Sequence, residues 1–261
     1  MDRNMSVSTR RVDFTIRIIG PSDLKDALFK GYDDFKEKPS HLFFLAAIYP
    51  LTTLVAGMAA ARIELLPLIF PLVSGFALVG PLVAIGLYEL SRRRELGLDV
   101  SWDQAFQVLR SPSRGAILAL SVLLALIYFV WLGVAFAIYW LIFERVLPDS
   151  FEYFARQVLT TPQGWTLIIV GCGVGFLFAL VVLAIGAVSF PMLVDRDIDA
   201  MTAIRTSVRA FQANPATMLM WGAIVAGLLI AGAIPLLVGL AVVLPVLGHA
   251  TWHLYRKLVA D

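Results

Sequence analysis

Long apolar stretches alternate with short polar segments along this chain, and the spacing inside each segment predicts its element. Leu42 to Ala61 is an apolar run of 20 residues, enough to cross a hydrocarbon core about 30 Å thick. Leu65 to Leu90 returns across it, with Pro67, Pro71 and Gly80-Pro81 predicting a kinked or partly broken helix. Ala116 to Phe143 and Trp165 to Val194 are a third and a fourth span. From Met218 to Leu254 the chain is almost continuously apolar, and one helix of that length would reach about 55 Å, beyond any bilayer. Gly232-Ala233-Ile234-Pro235 divides it into two short spans, with Pro245 bending the second; a re-entrant hairpin that does not cross fully is the alternative.

The polar segments carry their own periods. Val12 to Ile18 alternates strictly, as a strand with one buried face does, and a lone strand must lie on the rest of the protein, lie on a partner or be disordered. From Pro21 the period turns helical, with Leu24, Leu28, Tyr32 and Phe35 on one face of a surface-lying helix that ends near Pro39. Trp102, Ala105, Phe106 and Leu109 mark a second amphipathic helix, with Ser101 and Gln104 spaced as a capping box. Met201, Ile204, Val208 and Phe211 mark a third, with Arg205 and Arg209 outside its apolar face. Ser111-Pro112 and Asn214-Pro215 read as N-caps followed by proline at the first helical position. Glu144 to Gly164, with Asp149, Glu152 and Arg156, is a polar connection expected to form a short helix on the far surface.

Alignment on Pro39, Pro112 and Pro215 makes three copies of one unit, most legible from Phe190 to Trp221. The expectation is an all-α polytopic membrane protein, with six transmembrane helices in three tandem units of interfacial amphipathic helix plus transmembrane hairpin. The boundaries are an arm at residues 1–20, extended or disordered, and units at 21–90, 91–194 and 195–261.

Composition agrees: 59% of the 261 residues are hydrophobic and 15% charged, which excludes an ordinary soluble domain. With an even number of spans, one side holds 18 of the 21 Lys and Arg and the other only Arg62, Arg145 and Arg156. Positive residues favour the cytoplasm, so both termini are expected inside. About forty mostly polar residues precede the first apolar run, so that span should act as its own insertion signal. A net charge of +2 gives no support for nucleic-acid binding. The single cysteine, Cys172, forms no intrachain disulfide and reads as a small buried hydrophobe. Trp165, Trp221 and Trp252 fall near the interfaces.

Three segments carry a resemblance. They are Gly80-Pro81-Leu82 with Gly86 through Arg93; Phe190-Pro191 through Asp195-Arg196, with Ala203, Ser207, Asn214-Pro215 and Trp221; and Leu244 through Arg256. In these the chain resembles a family of bacterial integral membrane proteins catalogued as domain of unknown function 2189. The resemblance implies a six-span inner-membrane protein and no particular activity. Some relatives carry a cytochrome oxidase label, but a haem-copper core like that of the known oxidases uses about six histidines, and three are present.

Candidate chemistry is sparse. His249 and His253 share a helix face at the end of the last span, and His41 sits at the same depth on the first; together they are the metal or haem candidates, against an interfacial hydrogen-bonding role. Glu89 precedes Arg92 and Arg93 by three and four residues, the spacing of a helical ion pair. Asp195, Arg196, Asp197 and Asp199 read as a solvated loop closing a span, with cation or partner contact as the alternative. Gly171 and Gly175 form a small-xxx-small pattern for close helix packing.

No phosphate loop, dinucleotide fingerprint, nucleophile motif or zinc-protease helix occurs. The reading is a non-catalytic membrane protein without a cofactor, a scaffold or accessory subunit touching lipid and a membrane complex or a second copy. Its rival is a passive permease, with the breaks at Gly80-Pro81 and at Pro245 and Gly248 lining a path; a haem or metal protein is the third class.

Overall fold

The computed structural model describes residues 14–105, 108, 111–144 and 146–260. Val12 and Asp13 of the alternating stretch, and Phe106, Leu109, Arg110 and Arg145, lie outside them. Among the described residues the chain is helical, with no strand.

The N-terminal arm lies on the end of its own chain. Ile16 makes an isolated antiparallel bridge with Val259, Arg17 N–H donates to Leu258 at 2.8 Å, and Ala260 N–H donates to Thr15 at 3.0 Å. Helix α1 (Pro21–Glu37) follows, begun by proline at its first turn. Its buried stripe runs through Leu24, Ala27, Gly31, Asp34 and Phe35, leaving Tyr32 exposed, so the expected face is rotated. The cause is Gly31. A methyl group there would lie 2.5 Å from Ala250 N, so α1 packs along the last helix at a distance that only glycine permits.

Helix α2 (His41–Ala61) leads through a 3₁₀ turn (Ile63–Leu68) into a segmented return: α3 (Ile69–Gly75), a second 3₁₀ turn (Phe76–Val79), α4 (Gly80–Val83) and α5 (Ile85–Glu95). Pro67, Pro71 and Pro81 interrupt the ladder, as expected. The breaks are repaired from a neighbour, because Trp131 donates to Pro71 O at 3.1 Å and Tyr128 to Leu72 O at 3.3 Å.

The second amphipathic segment is described only as α6 (Trp102–Ala105). Its capping box is not made, since the Gln104 side-chain oxygen is buried without a partner. Helix α7 (Arg114–Ile142) starts two residues later than the Ser111-Pro112 signal, with Ser113 at its N-cap. Ser113 is drawn off to donate to Arg196 O at 3.0 Å, and Ser111 instead accepts from Ser113 N–H.

At the far end Ser150 caps α8 (Phe151–Thr160), the short helix expected there, and Thr161 caps α9 (Pro162–Gly186). Gly175 of α9 receives the Trp131 indole, which a methyl group there would meet at 3.0 Å; Gly171 has open space, so only half of the small-xxx-small pattern packs. Cys172 is exposed on this helix, not buried as expected.

A break at Ala187 and Val188 leads to α10 (Ser189–Asp195), then to α11 (Ala200–Ala213), capped by Asp199. The buried stripe of α11 is Ala203, Thr206, Ser207 and Ala210, with Met201 exposed. Small residues rather than the larger expected set face inward, because α11 lies close against α9 and α10, near enough for Ser207 to cap Val188 N–H at 3.2 Å. Helices α12 (Pro215–Ala233) and α13 (Leu240–Leu258) complete the chain, divided where Gly232 to Pro235 predicts.

Among the described residues four stretches are long and apolar enough to cross a membrane: Glu64–Glu95, Arg114–Ile142, Pro162–Asp195 and Pro215–Ala233. In the third only 6% of the most apolar window is buried. A helix so apolar and so unburied has lipid as its solvent. A shorter apolar helix is found at His41–Leu54.

Candidate functional site

Two glycines build the polar end of the molecule. Gly31 brings α1 against α13, and Gly248 brings α13 against α5, where a methyl group would lie 2.5 Å from Leu87 Cδ1. Asp34 is one turn beyond Gly31, Ser91 one turn beyond Leu87, and His249 and His253 follow Gly248. Close packing at two apolar contacts therefore delivers four polar side chains to one point.

Asp34 is the hub, 4% exposed. Its Oδ2 accepts from Ser91 Oγ at 2.5 Å and from His253 Nε2 at 2.8 Å, and its Oδ1 accepts from Arg94. Arg94 also reaches Glu37 at 2.6 Å. Burial alone would raise the Asp34 carboxyl, but the hydrogen bonds from His253, Ser91 and Arg94 outweigh it and hold the group below the usual carboxylate range. Because Ser91 spends its proton on the carboxylate, its oxygen accepts from His249 Nδ1 at 2.7 Å. His249 Nε2 is then left buried with no hydrogen-bond partner.

The cluster is a satisfied buried charge rather than a nucleophilic triad. The carboxylate bonds the serine directly, the imidazole it bonds is His253 rather than the His249 that meets Ser91, and Ser91 is 1% exposed, out of reach of a substrate. Nor does it gather metal ligands: among the described residues no group of three or more His, Cys, Asp or Glu could hold a metal ion. His41 stands apart, edge-on to Phe35 at 6.5 Å, so the three histidines do not converge.

A second network surrounds Asp195. It accepts from Tyr255 at 2.7 Å and lies 3.5 Å from Arg256, which bonds Glu95 at 3.0 Å. Arg196 donates to Tyr255 at 3.2 Å and lies over the Phe14 ring. Asp195 and Arg196 thus close an internal seam and are not the solvated loop that their charges suggested. Trp252 donates to Glu95 at 2.9 Å and is buried, as is Trp221; of the three expected interfacial tryptophans, Trp165 alone is exposed.

Lys257 reaches Asp23 at 3.0 Å and Asp26 at 2.9 Å. Burial would lower its ammonium, and the two carboxylates more than reverse that. Asn214 spends its side chain on the arm, accepting from Ile19 N–H at 2.8 Å and donating to Arg17 O at 3.0 Å. Glu89 pairs with Arg92 at 2.8 Å and Arg93 at 3.5 Å. Pro81 lies against Gly186, Pro245 is buried within α13, and Gly80 has no neighbour that a side chain would meet.

Apolar helices with lipid as solvent, closed at one end by a polar cap whose buried charges are paired, describe an integral membrane protein. Residues 69–195 match the family of predicted integral membrane proteins catalogued as domain of unknown function 2189. The match spans α3 to α10, just under half of the chain. It holds Glu89, Ser91 and Asp195 but neither Asp34 nor the histidines of α13. No curated protein and no solved structure matches the chain.

Sequence reasoning missed Asp34, Ser91, Arg94 and Tyr255. One signal was available: Asp34 continues the stripe of Leu24, Ala27 and Gly31, and a carboxylate on a buried stripe needs partners.

Proposed function

We propose that the protein is a non-catalytic inner-membrane protein, a scaffold or accessory subunit of a membrane complex. In this reading it enters the bilayer as three helical hairpins, α2 with α3–α5, α7 with α9, and α12 with α13. The polar end and both termini face the cytoplasm, where most of the Lys and Arg lie. The element order supports tandem units, with α1, α6 and α11 each directly preceding a hairpin.

One observation carries the scaffold reading. The buried charges of the cap are spent on each other, while the outward side of α1 presents Phe29, 59% exposed, and Tyr32, 46% exposed. Lys25 lies over the first ring at 5.7 Å and Lys36 over the second at 4.9 Å. Two aromatic rings among lysines, clear of the apolar spans, suit contact with an acidic partner surface. Purification in several mild detergents should bring down a stoichiometric partner that the double substitution Phe29→Ser, Tyr32→Ser loses. A protein that stays alone throughout overturns the reading.

The segmented second span favours one rival, a passive permease, because discontinuous helices line solute paths in transporters. Flux through reconstituted liposomes that a bulky replacement at Gly80 abolishes would establish it.

A further inference from the structure

The turn joining α12 to α13 is Ile234-Pro235-Leu236-Leu237-Val238-Gly239, without a polar side chain. Ile234 is 78% and Leu236 82% exposed. The turns at the far end of the other hairpins are charged: Arg62 and Glu64 follow α2, and Glu144, Asp149 and Glu152 lie between α7 and α9. A turn emerging into water has no use for bare leucines.

Two contacts measure its depth. Gly222 of α12 faces Leu183 of α9, whose Cδ2 a methyl group would meet at 2.9 Å. From there α12 continues to Ala233, about 16 Å, whereas α9 extends back to Pro162, about 31 Å. The turn therefore stops about 15 Å short of the far end. Independently, the Tyr49 hydroxyl donates to Leu236 O at 3.3 Å, and α2 runs on from Tyr49 to Ala61, about 18 Å farther. Both figures are about half of a 30 Å core.

The turn is also built to stay in hydrocarbon. The N–H groups of Ile234, Leu236, Leu237, Val238 and Leu240 donate to carbonyls of Ile230, Ile234, Ala233, Pro235 and Leu237 at 2.9–3.2 Å. Tyr49 takes up the Leu236 carbonyl. Irregular backbone at membrane depth requires such internal satisfaction.

We infer that α12 and α13 form a re-entrant hairpin that turns near the bilayer midplane, pinned by Tyr49, over a far-leaflet groove that a lipid acyl chain fills. That open groove, about 790 Å³, is lined by Tyr49, Pro50, Thr53, Leu54, Gly57 and Met58, and is joined to the turn through the Tyr49 hydroxyl. Its wall carries no charge, and Thr53 returns its hydroxyl to Tyr49 O at 2.8 Å, so nothing there asks for a polar occupant. The inference rests on the proposed three-hairpin insertion.

Single cysteines at Leu236→Cys, Asp149→Cys and Arg205→Cys, in a Cys172→Ala background, test both readings separately. With an impermeant maleimide, Asp149→Cys should react from outside and Arg205→Cys from inside; reaction of both from one side refutes the insertion scheme itself. Leu236→Cys should react from neither side until the protein is denatured. Its spin-labelled form in liposomes should be accessible to oxygen but not to a nickel chelate, as at the bilayer centre. Reaction from the same side as Asp149→Cys overturns the re-entrant hairpin. A spin label at Gly57→Cys should be mobile and oxygen-accessible, as among acyl chains; dipolar broadening that grows with protein-to-lipid ratio would show a second copy in the groove and overturn the lipid assignment.

Discussion

His253 Nε2 lies 2.8 Å from Asp34 Oδ2, joining α1 to α13 across 219 positions of sequence. The carboxylate at this contact also holds Ser91 and Arg94 of α5, so three helices from distant parts of the chain meet on one buried charge. The cap cannot close until the last helix is in place. The N-terminal arm, bonded to Leu258 and Asn214, depends on the same part of the chain.

Replacing Asp34 should be costly. Asp34→Ala leaves Ser91, His253 and Arg94 facing a void, and the loss should be about 2–4 kcal/mol, toward the lower end of what a buried ion pair gives because Arg94 reaches solvent and Glu37. Thermal unfolding in detergent measures it, with Asp34→Asn intermediate because the amide still accepts.

The same carboxyl makes stability depend on pH in a known direction. Its folded value lies below the usual range despite burial, through His253, Ser91 and Arg94, with His249 also facing it at 3.9 Å. A depressed carboxyl contributes fully above its unfolded value, about 4, and its contribution is lost as pH falls through the folded value. Acid titration of unfolding should therefore fall less steeply below about pH 4 in Asp34→Asn than in the parent. Parallel curves would show that the group does not titrate as placed.

Glycine substitutions should separate close contacts from empty ones. Gly31→Ala drives a methyl group into the Ala250 backbone, which cannot rotate away, and should cost about 1–3 kcal/mol. Gly248→Ala meets the movable end of Leu87 and should cost less. Gly80→Ala and Gly171→Ala, which meet nothing, should be neutral or slightly stabilising through helix propensity. A rank order of melting temperatures with Gly171→Ala lowest would contradict the packing described.

These glycines show what was legible in the sequence and what was not. Apolar run length located the four stretches able to cross a membrane, and proline position located the breaks in the second span, because both act through the local backbone and need no partner. The faces of α1 and α11 were misjudged for the opposite reason. Hydrophobicity alone selects Tyr32 and Met201 as inward, but interhelical distance decides, and a helix pressed against its neighbour turns its smallest residues inward: Gly31, Ala203 and Ala210. Asp34 escaped notice because its partners are 57 to 219 residues away, beyond any local period. His249 and His253 share a face as their spacing requires, yet which groups meet them depends on packing.

Asn214 should hold the arm rather than the helix that it precedes. Its side chain makes no cap on α12 but bonds Ile19 N–H and Arg17 O. Asn214→Ala orphans a buried donor at about 1–3 kcal/mol. Hydrogen exchange should accelerate at Ile19 while the α12 amides stay protected; faster exchange along α12 instead would restore the capping role.

Cys172 offers a probe already in place. It is exposed on α9 about 15 Å from Pro162 and about 21 Å from Gly186 along the axis, so it faces hydrocarbon whichever side is cytoplasmic. A charged maleimide should leave it unmodified in intact membranes and modify it after denaturation, whereas a lipid-soluble maleimide should reach it in the membrane. Cys172→Ala should change stability by less than about 0.5 kcal/mol, since no packed contact is lost. Cys172→Asp places a charge where insertion costs about 2.5–3.5 kcal/mol and should lower membrane yield. Rapid reaction with the charged reagent before denaturation would mean that this face of α9 meets water, and the lipid-facing assignment of the helix would fail.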